Sequence, residues 1–247
     1  MMIHSTDNYR LLATCYDRFI GQAYYDRLGA LFDQMVATAA PGSALVDIGC
    51  GTGWLLHRAI ARGIAATGVD ISPAMLALAA ERCPTAEMIC ASWQAVRGRH
   101  WQFLAANNDV FNHLVLADGL PETLAHFAEL LAPDGVGLFD AVSEFDVRNC
   151  WEGCQHRYSD EQHVRCDVSH SVTMGPPTVG SMLRVWSQRV GEEWEIIGEE
   201  REDVIGISPD SILAAAQSVG VRVELFDWDL GGDVTDRTSR IGAWIFR

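Results

Sequence analysis

The run Val46-Asp47-Ile48-Gly49-Cys50-Gly51-Thr52-Gly53 constrains this chain more than any other stretch. Leu45 to Ile48 reads as a buried strand, the three glycines allow a tight turn whose backbone presses close to a ligand, and Trp54 to Ala61 reads as the helix that follows. A second strand ends at Gly68-Val69-Asp70-Ile71-Ser72-Pro73, where a carboxylate is placed to accept both hydroxyls of a ribose. A strand, glycine turn and helix also cradle pyrophosphate in dinucleotide-binding folds, but there the glycines are spaced G-x-G-x-x-G. Here the third glycine comes one residue early, and an acid, Asp47, stands shortly before the first. A carboxylate in that place repels a phosphate and favours a cationic ligand, because opposite charges within about 4–6 Å stabilise each other.

The glycine run resembles the first motif of class I S-adenosylmethionine (SAM)-dependent methyltransferases, and the Asp70 segment resembles their second, in the same order. Leu131-Ala132-Pro133-Asp134-Gly135-Val136 is similar to the turn before the fifth strand of that family. The resemblance covers nearly the whole chain and is strongest over 44–93. Tyr16-Asp17-Arg18-Phe19, Asn112-His113-Leu114 and the region after the fifth strand resemble bacterial small-molecule N-methyltransferases, including those that dimethylate amino groups of nucleotide-linked sugars. The resemblance implies an α/β Rossmann-like class I methyltransferase sheet with helices on both faces. It also implies SAM as cofactor, S-adenosylhomocysteine (SAH) as product, and methyl transfer to a nitrogen or oxygen of a small molecule, in specialised metabolism. Two other uses of the fold stand beside this one: a SAM-dependent reaction other than methylation, and a catalytically inactive SAM-binding regulatory protein.

The hydrophobic pattern predicts two amphipathic helices at 7–20 and 23–38, and the resemblance implies a single domain over 1–247 in which 1–40 forms an N-terminal helical lid. The cofactor core, 41–146, alternates strand 44–48, helix 54–62, strand 65–70, helix 73–82, strand 87–90, a strand near 103–107, helix 121–131 and strand 136–142. Such alternation implies a mainly parallel sheet that binds ligands at the carboxyl ends of its strands. Over 147–206 the period switches to two, and segments 163–174, 181–190 and 193–205 read as an antiparallel meander inserted on the substrate side between the fifth and sixth strands. A helix capped by Ser208-Pro209 and strands 221–227 and 241–246 complete the core over 207–247.

With 247 residues, 49% of them hydrophobic, the chain is long enough for a full core. Its formal net charge of −15, with no cluster of Lys and Arg, argues against nucleic acid and for a small-molecule partner. No apolar stretch of about 18 residues and no basic-then-apolar leader is present, so a cytoplasmic protein off the membrane is expected. Homodimer formation stays open. Seven scattered cysteines do not form a secreted disulfide framework.

The resemblance assigns Asp47, Gly49, Cys50 and Gly51 to the methionine end of the cofactor, Asp70 to its ribose, and Ile71 and Met75 to its adenine, the last two being equally fit for core packing. Ser92 and Trp93 stand where relatives commonly carry an Asp followed by an apolar residue. In this chain they are expected to meet the adenine amine and ring. Asn107, Asn108 and Asp109 fall where relatives position methionine and acceptor, although a polar loop capping its own turn would use the same residues. His113 has the residue type for a general base and the position of a histidine near the acceptor in amino-sugar enzymes, with a structural helix histidine as the other reading. Tyr9 and Tyr16 fit either a lid over cofactor and acceptor or a packed helix stripe, and Trp151 fits either an acceptor pocket or sheet packing. Cys150, Cys154, His156, His163, Cys166 and His170 have zinc-ligand side chains but no Cys-x-x-Cys spacing, so no metal is expected.

Overall fold

A computed structural model describes residues 9–159 and 163–247. Three helices open the described chain: α1 (Arg10–Ala13), α2 (Tyr16–Ile20) and α3 (Gln22–Met35). The single helix expected over 7–20 is thus two short ones, and residues 7 and 8 lie outside the described residues. The Leu11 N–H, at the start of α1, donates to Glu200 Oε1 at 3.0 Å and ties α1 to the meander, while at its end the Thr14 hydroxyl bonds back to the Leu11 carbonyl at 2.8 Å where the helix stops. Gly21, at φ +82°, then turns the chain into α3.

The core follows as β1 (Ala44–Ile48), α4 (Trp54–Ile60), β2 (Ala65–Asp70), α5 (Pro73–Arg82), β3 (Glu87–Cys90), β4 (Trp101–Ala106), α6 (Val110–Asp118), α7 (Leu120–Leu130) and β5 (Leu131–Val142). Helix α6 is new relative to the sequence reading. Its residues are apolar nearly all round, which hides the 3.6-residue period. Strand β5 starts at Leu131 rather than 136 because the expected Pro-Asp-Gly turn is a bulge inside it: Trp101 pairs with Leu131, and pairing resumes at Phe103 with Val136.

The seven-stranded sheet has the order β10-β11-β5-β4-β1-β2-β3, where β10 (Arg222–Asp227) and β11 (Arg240–Phe246) follow α9 (Pro209–Val219). Strands β3, β2, β1, β4 and β5 run parallel, while β11 pairs antiparallel with both β5 and β10. Leu45 and Phe103 point into one apolar layer with Leu28, Phe32 and Leu56. Val46, Ile48 and Leu104 point into the other with Phe111, Phe127 and Ile212. Helices on both faces therefore bury both sides of the sheet, and its order reverses between β1 and β4, where open α/β sheets bind ligands.

After α8 (Glu144–Asp146) and a π turn over Val147–Trp151, strands β6 (Gln155–Ser159), β7 (Val164–Thr173), β8 (Val179–Val190) and β9 (Glu193–Ile205) form an antiparallel sheet in sequence order. Strand β6, absent from the sequence reading, is a polar edge strand. One face of this sheet collects Tyr158, Cys166 and Trp186 on one rung, and His156, Val168, Arg184 and Glu200 on the next. Phe19 of α2 stacks on Tyr158 and Trp186 at centroid distances of 4.6 and 5.6 Å, so the lid rests on the meander.

Asn112, fully buried on α6, joins the layers. Its Nδ2 donates to the carbonyls of Val142 (2.9 Å) and Ile205 (2.7 Å), and its Oδ1 accepts from the Val142 N–H (3.0 Å). Removing it strands the buried Val142 N–H, at about 1–3 kcal/mol, and takes one partner from the Ile205 carbonyl and from the Val142 carbonyl, which keeps the Ile207 N–H. Asn112→Ala is therefore expected to lower the unfolding free energy by about 1–3 kcal/mol in urea titrations, whereas Asn149→Ala, on the exposed π turn, should stay near wild type.

Candidate active site

The loop between β1 and α4 is shaped by its glycines. Gly49 has φ +68° and Gly51 φ +51°, and a Cβ on Gly49 would sit 2.4 Å from Val110 Cγ2. Only glycine permits this left-handed turn to press against α6. Asp70, at the carboxyl end of β2, holds the loop from the other side: Oδ2 accepts from the Gly51 N–H and Oδ1 from the Ser72 N–H, both at 2.9 Å.

Two connected spaces open over this edge. The larger, of about 480 Å³, is floored by Gly49, Gly51, Asp70, Met75 and Ser92, with Ile71 exposed at the rim. Tyr9 and Tyr16 of the lid cover it, and Asn108, Asp109 and His113 form one wall. The smaller lies under the loop and takes in Asp47, Cys50 and Asn107, with Tyr16, Gly49 and Asn108 shared between the two. Fifteen of the sixteen expected site residues therefore line one or the other space.

The exception is Trp151. Its ring packs with Val142, Val147 and Val204, and its Nε1 donates to Asp146 Oδ2 at 3.0 Å, so the sheet-packing reading holds for it. Trp93 lines the cavity but is largely packed into the core. Its ring is 5% exposed, lies 4.4 Å from the His126 ring, and donates through Nε1 to Asp118 Oδ2 at 3.0 Å. Packing within the core leaves it no free face to stack on a ligand ring. Cys50 is a small core residue beneath the loop, packed against Leu56 and Ala66.

Asp47 is 5% exposed, and burial, with Asp70 nearby, pushes its carboxyl up to about 8. Beside it in the same space, both side-chain polar atoms of Asn107 are buried without a hydrogen-bond partner. A buried polar group in that condition costs free energy unless something fills the space. Asn108 and Asp109 follow at φ +60° and +67°, two successive left-handed non-glycine residues. The loop does not cap its own turn. The Asn108 N–H donates to Asp140 Oδ1 at 2.5 Å, Asn108 Nδ2 donates to the Tyr16 hydroxyl at 2.7 Å, and Asp109 Oδ1 accepts from Arg240 at 2.7 Å. Asp109 is thus committed to an ion pair rather than free for an acceptor.

His113 reaches Glu202 of β9, with Nε2 2.5 Å from Oε1, while Glu202 Oε2 accepts from Arg184 Nη2 at 2.5 Å. Burial alone would raise the Glu202 pKa, but Arg184 and His113 outweigh it and hold the carboxyl down to about 2. Burial likewise pulls His113 down, and the bond to Glu202 reverses this and raises it above its ordinary value. Arg184, Glu202, Gln94 and the lid residue Asp17 escaped the sequence reading. The first two had a signal, the period of two along the meander. Asp17 accepts from Thr52 of the glycine turn at 2.6 Å and from Arg82 of α5 at 2.5 Å, which latches the lid onto the loop.

Sheet order and topology are those of the SAM-dependent methyltransferase fold. Residues 45–135 match the methyltransferase domain family. A putative methyltransferase of Bacillus subtilis, YqeM, is 28% identical over 159 residues, covering 62% of this chain and 63% of its own length. The chain thus spans a little under two thirds of the length of such curated relatives. In fold it is similar to a SAM-dependent methyltransferase of Clostridium acetobutylicum (TM-score 0.80, 18% identity, 96% of this chain and 98% of the other). It is also similar to CalS10, an amino pentose methyltransferase of Micromonospora echinaspora (TM-score 0.73, 20% identity, 96% of both chains). No helix among the described residues is long and apolar enough to cross a membrane.

Because the folded-state pKa of Asp47 lies above its unfolded value of 3.8, the folded protein binds the extra proton between these limits. Its stability is full below about pH 4 and falls as pH rises toward 8. Asp47→Asn removes that loss. In ligand-free protein its melting temperature is expected to match wild type near pH 4 and to exceed it at pH 8 by about 2–4 °C for each kcal/mol recovered, read by thermal unfolding.

Proposed function

We propose that this protein transfers the methyl group of SAM to a nitrogen or oxygen of a small molecule, acting in the cytoplasm on a compound of specialised metabolism. The observation that carries the proposal is the pairing of Asp47 with the unpartnered Asn107 beneath a glycine turn. An amino-acid zwitterion fits it: Asn107 Nδ2 would donate to a carboxylate, while Asp47 and Asn107 Oδ1 would accept from an ammonium. Asp70 would hold the ribose, and Ile71, Met75 and Ser92 the adenine. SAM, when bound, supplies a methyl group already activated by its sulfonium.

The remaining work falls to the chain. Tyr9, Tyr16 and the α2 latch close the cavity against water, and orientation of the acceptor within it is worth at best about 7–11 kcal/mol of the barrier. His113 is placed to take a proton from the acceptor, with Glu202 stabilising the imidazolium that forms and Arg184 holding Glu202 in place. The fold shared with CalS10, which acts on an amino pentose, supports a nitrogen acceptor.

Isothermal calorimetry with SAM and SAH tests the first part. Uptake of both is expected, weakened at least about tenfold in Asp70→Ala, and absence of uptake would end the proposal. Release of SAH in a panel of amino and hydroxy compounds tests the second.

With an acceptor in hand, His113→Ala should lower kcat by about 10²–10⁴-fold while leaving the SAM Kd within a few-fold. As a base, His113 must be neutral, so kcat should rise with pH through its raised pKa. Glu202→Gln, which removes the stabilising anion, should move that rise to lower pH.

A further inference from the structure

Outside the residues used so far, the cavity wall carries a second chemical group. Cys154 immediately precedes β6, His156 lies on β6 and His170 on β7. Register explains why they meet: Gln155 pairs with Ser169 and His156 with Val168, which sets Cys154 opposite His170 and puts all three on the cavity-facing side of the sheet. Their ligating atoms lie within 4.8 Å of one another, and Cys154 Sγ is 3.1 Å from His156 Nε2.

We propose that Cys154, His156 and His170 bind one zinc ion at the rim of the acceptor cavity, with its fourth position open to the cavity. The linear spacing hid this, because the cluster joins a Cys-x-His pair on one strand to a histidine on the next rather than using a Cys-x-x-Cys knuckle.

Three observations carry it. The residue types are those zinc takes, thiolate and imidazole. Tetrahedral bonds of about 2.0–2.3 Å place ligand atoms about 3.3–3.6 Å apart, so the group needs only a side-chain contraction of about 1 Å to close on an ion. Next, the His170 ring is already oriented by its surroundings. Its Nδ1 lies 3.3 Å from the Cys154 carbonyl and its ring meets Trp151 edge-on at 5.0 Å, an arrangement that fixes the Nδ1–H tautomer and turns Nε2 toward a metal. Finally, His156 and His170 line the same cavity as His113 and Glu202, so a three-ligand ion there faces open space. Three protein ligands with one open position is the arrangement of reactive rather than structural zinc. The ligand set carries one negative charge, leaving the site net positive, and the open position suits water or an anionic oxygen or sulfur of the acceptor. Cys150 and Cys166 stay outside the group, the latter buried against Trp186.

This inference stands apart from the methyl-transfer proposal, and its test reads metal alone. Chelator-treated full-length protein is titrated with cobalt(II), followed by thiolate-to-metal charge-transfer absorption, and with zinc in competition with a chromogenic chelator. One equivalent with a tetrahedral cobalt spectrum and sub-micromolar zinc affinity is expected. Cys154→Ser should abolish the charge-transfer band, His156→Ala and His170→Ala should weaken zinc binding at least about tenfold, and Cys150→Ser should behave as wild type. His156 lies exposed on an edge strand, so its variant should keep the fold even if the others do not, as checked by circular dichroism. Binding weaker than micromolar, no charge-transfer band in wild type, or undiminished affinity in folded His156→Ala would overturn the site and leave a thiol–imidazole hydrogen bond in its place. Retained SAM uptake in the variants separates loss of metal from loss of the cofactor site.

Discussion

The carboxyl edge of the sheet depends on a charge network centred on Asp140. This side chain is fully buried on β5, and its two oxygens are shared between the Asn108 N–H and the guanidinium of Arg240, which also holds Asp109. Burial pushes the Asp140 carboxyl up to about 6 even with Arg240 beside it, while the flanking carboxylates drive Arg240 well above its ordinary value despite the opposing effect of burial. Removing one partner from such a pair leaves a buried charge without compensation, at a cost of several kcal/mol. What that interaction secures is a backbone that would not otherwise form: two consecutive left-handed residues that end β4, hold Tyr16 through Asn108 and set the start of α6. The β11 strand, remote in sequence, thus fixes the loop on which lid and His113 are hung.

The same edge shows how an acidic chain can carry a cavity with carboxylates at both ends. Near the glycine turn, Asp47 is buried with the like-charged Asp70 nearby and moves toward the neutral form. At the far end Glu202 is clamped between Arg184 and His113 and stays ionised. Two buried acids in one cleft are pushed in opposite directions by their neighbours, a pattern found where sites divide roles between carboxyl groups. The unpartnered polar atoms of Asn107 lie beside Asp47 in the smaller space, where burial leaves both without a counter-charge.

Much of the fold could be read in the residues themselves. The β1 loop, β2, α5, β3 and the three long meander strands lie where local patterning puts them, because their apolar periods and caps agree with their tertiary surroundings. The differences have separate causes. The helix expected over 7–20 stops at Thr14, whose hydroxyl bonds back to the Leu11 carbonyl, and its first piece is anchored to the meander through Glu200; α6 is hidden by a mostly apolar sequence. The polar β6 has no period to show. It exists because β7 offers it a free edge.

Within the site, the glycines and Asp70 announce themselves, since only certain residue types allow a backbone turn of that curvature or accept a ribose. That much the amino-acid sequence determined alone: a sheet of alternating strands and helices with a glycine turn and a carboxylate at its carboxyl edge. Only the tertiary structure decided that His113 would face Glu202, that Asp109 would be tied up by Arg240, that Trp93 and Trp151 would serve packing, and that Cys154, His156 and His170 would converge. Each of these depends on strand register and on contacts between residues far apart in the chain. A shift of one residue in pairing turns a side chain to the opposite face, and nothing local specifies it.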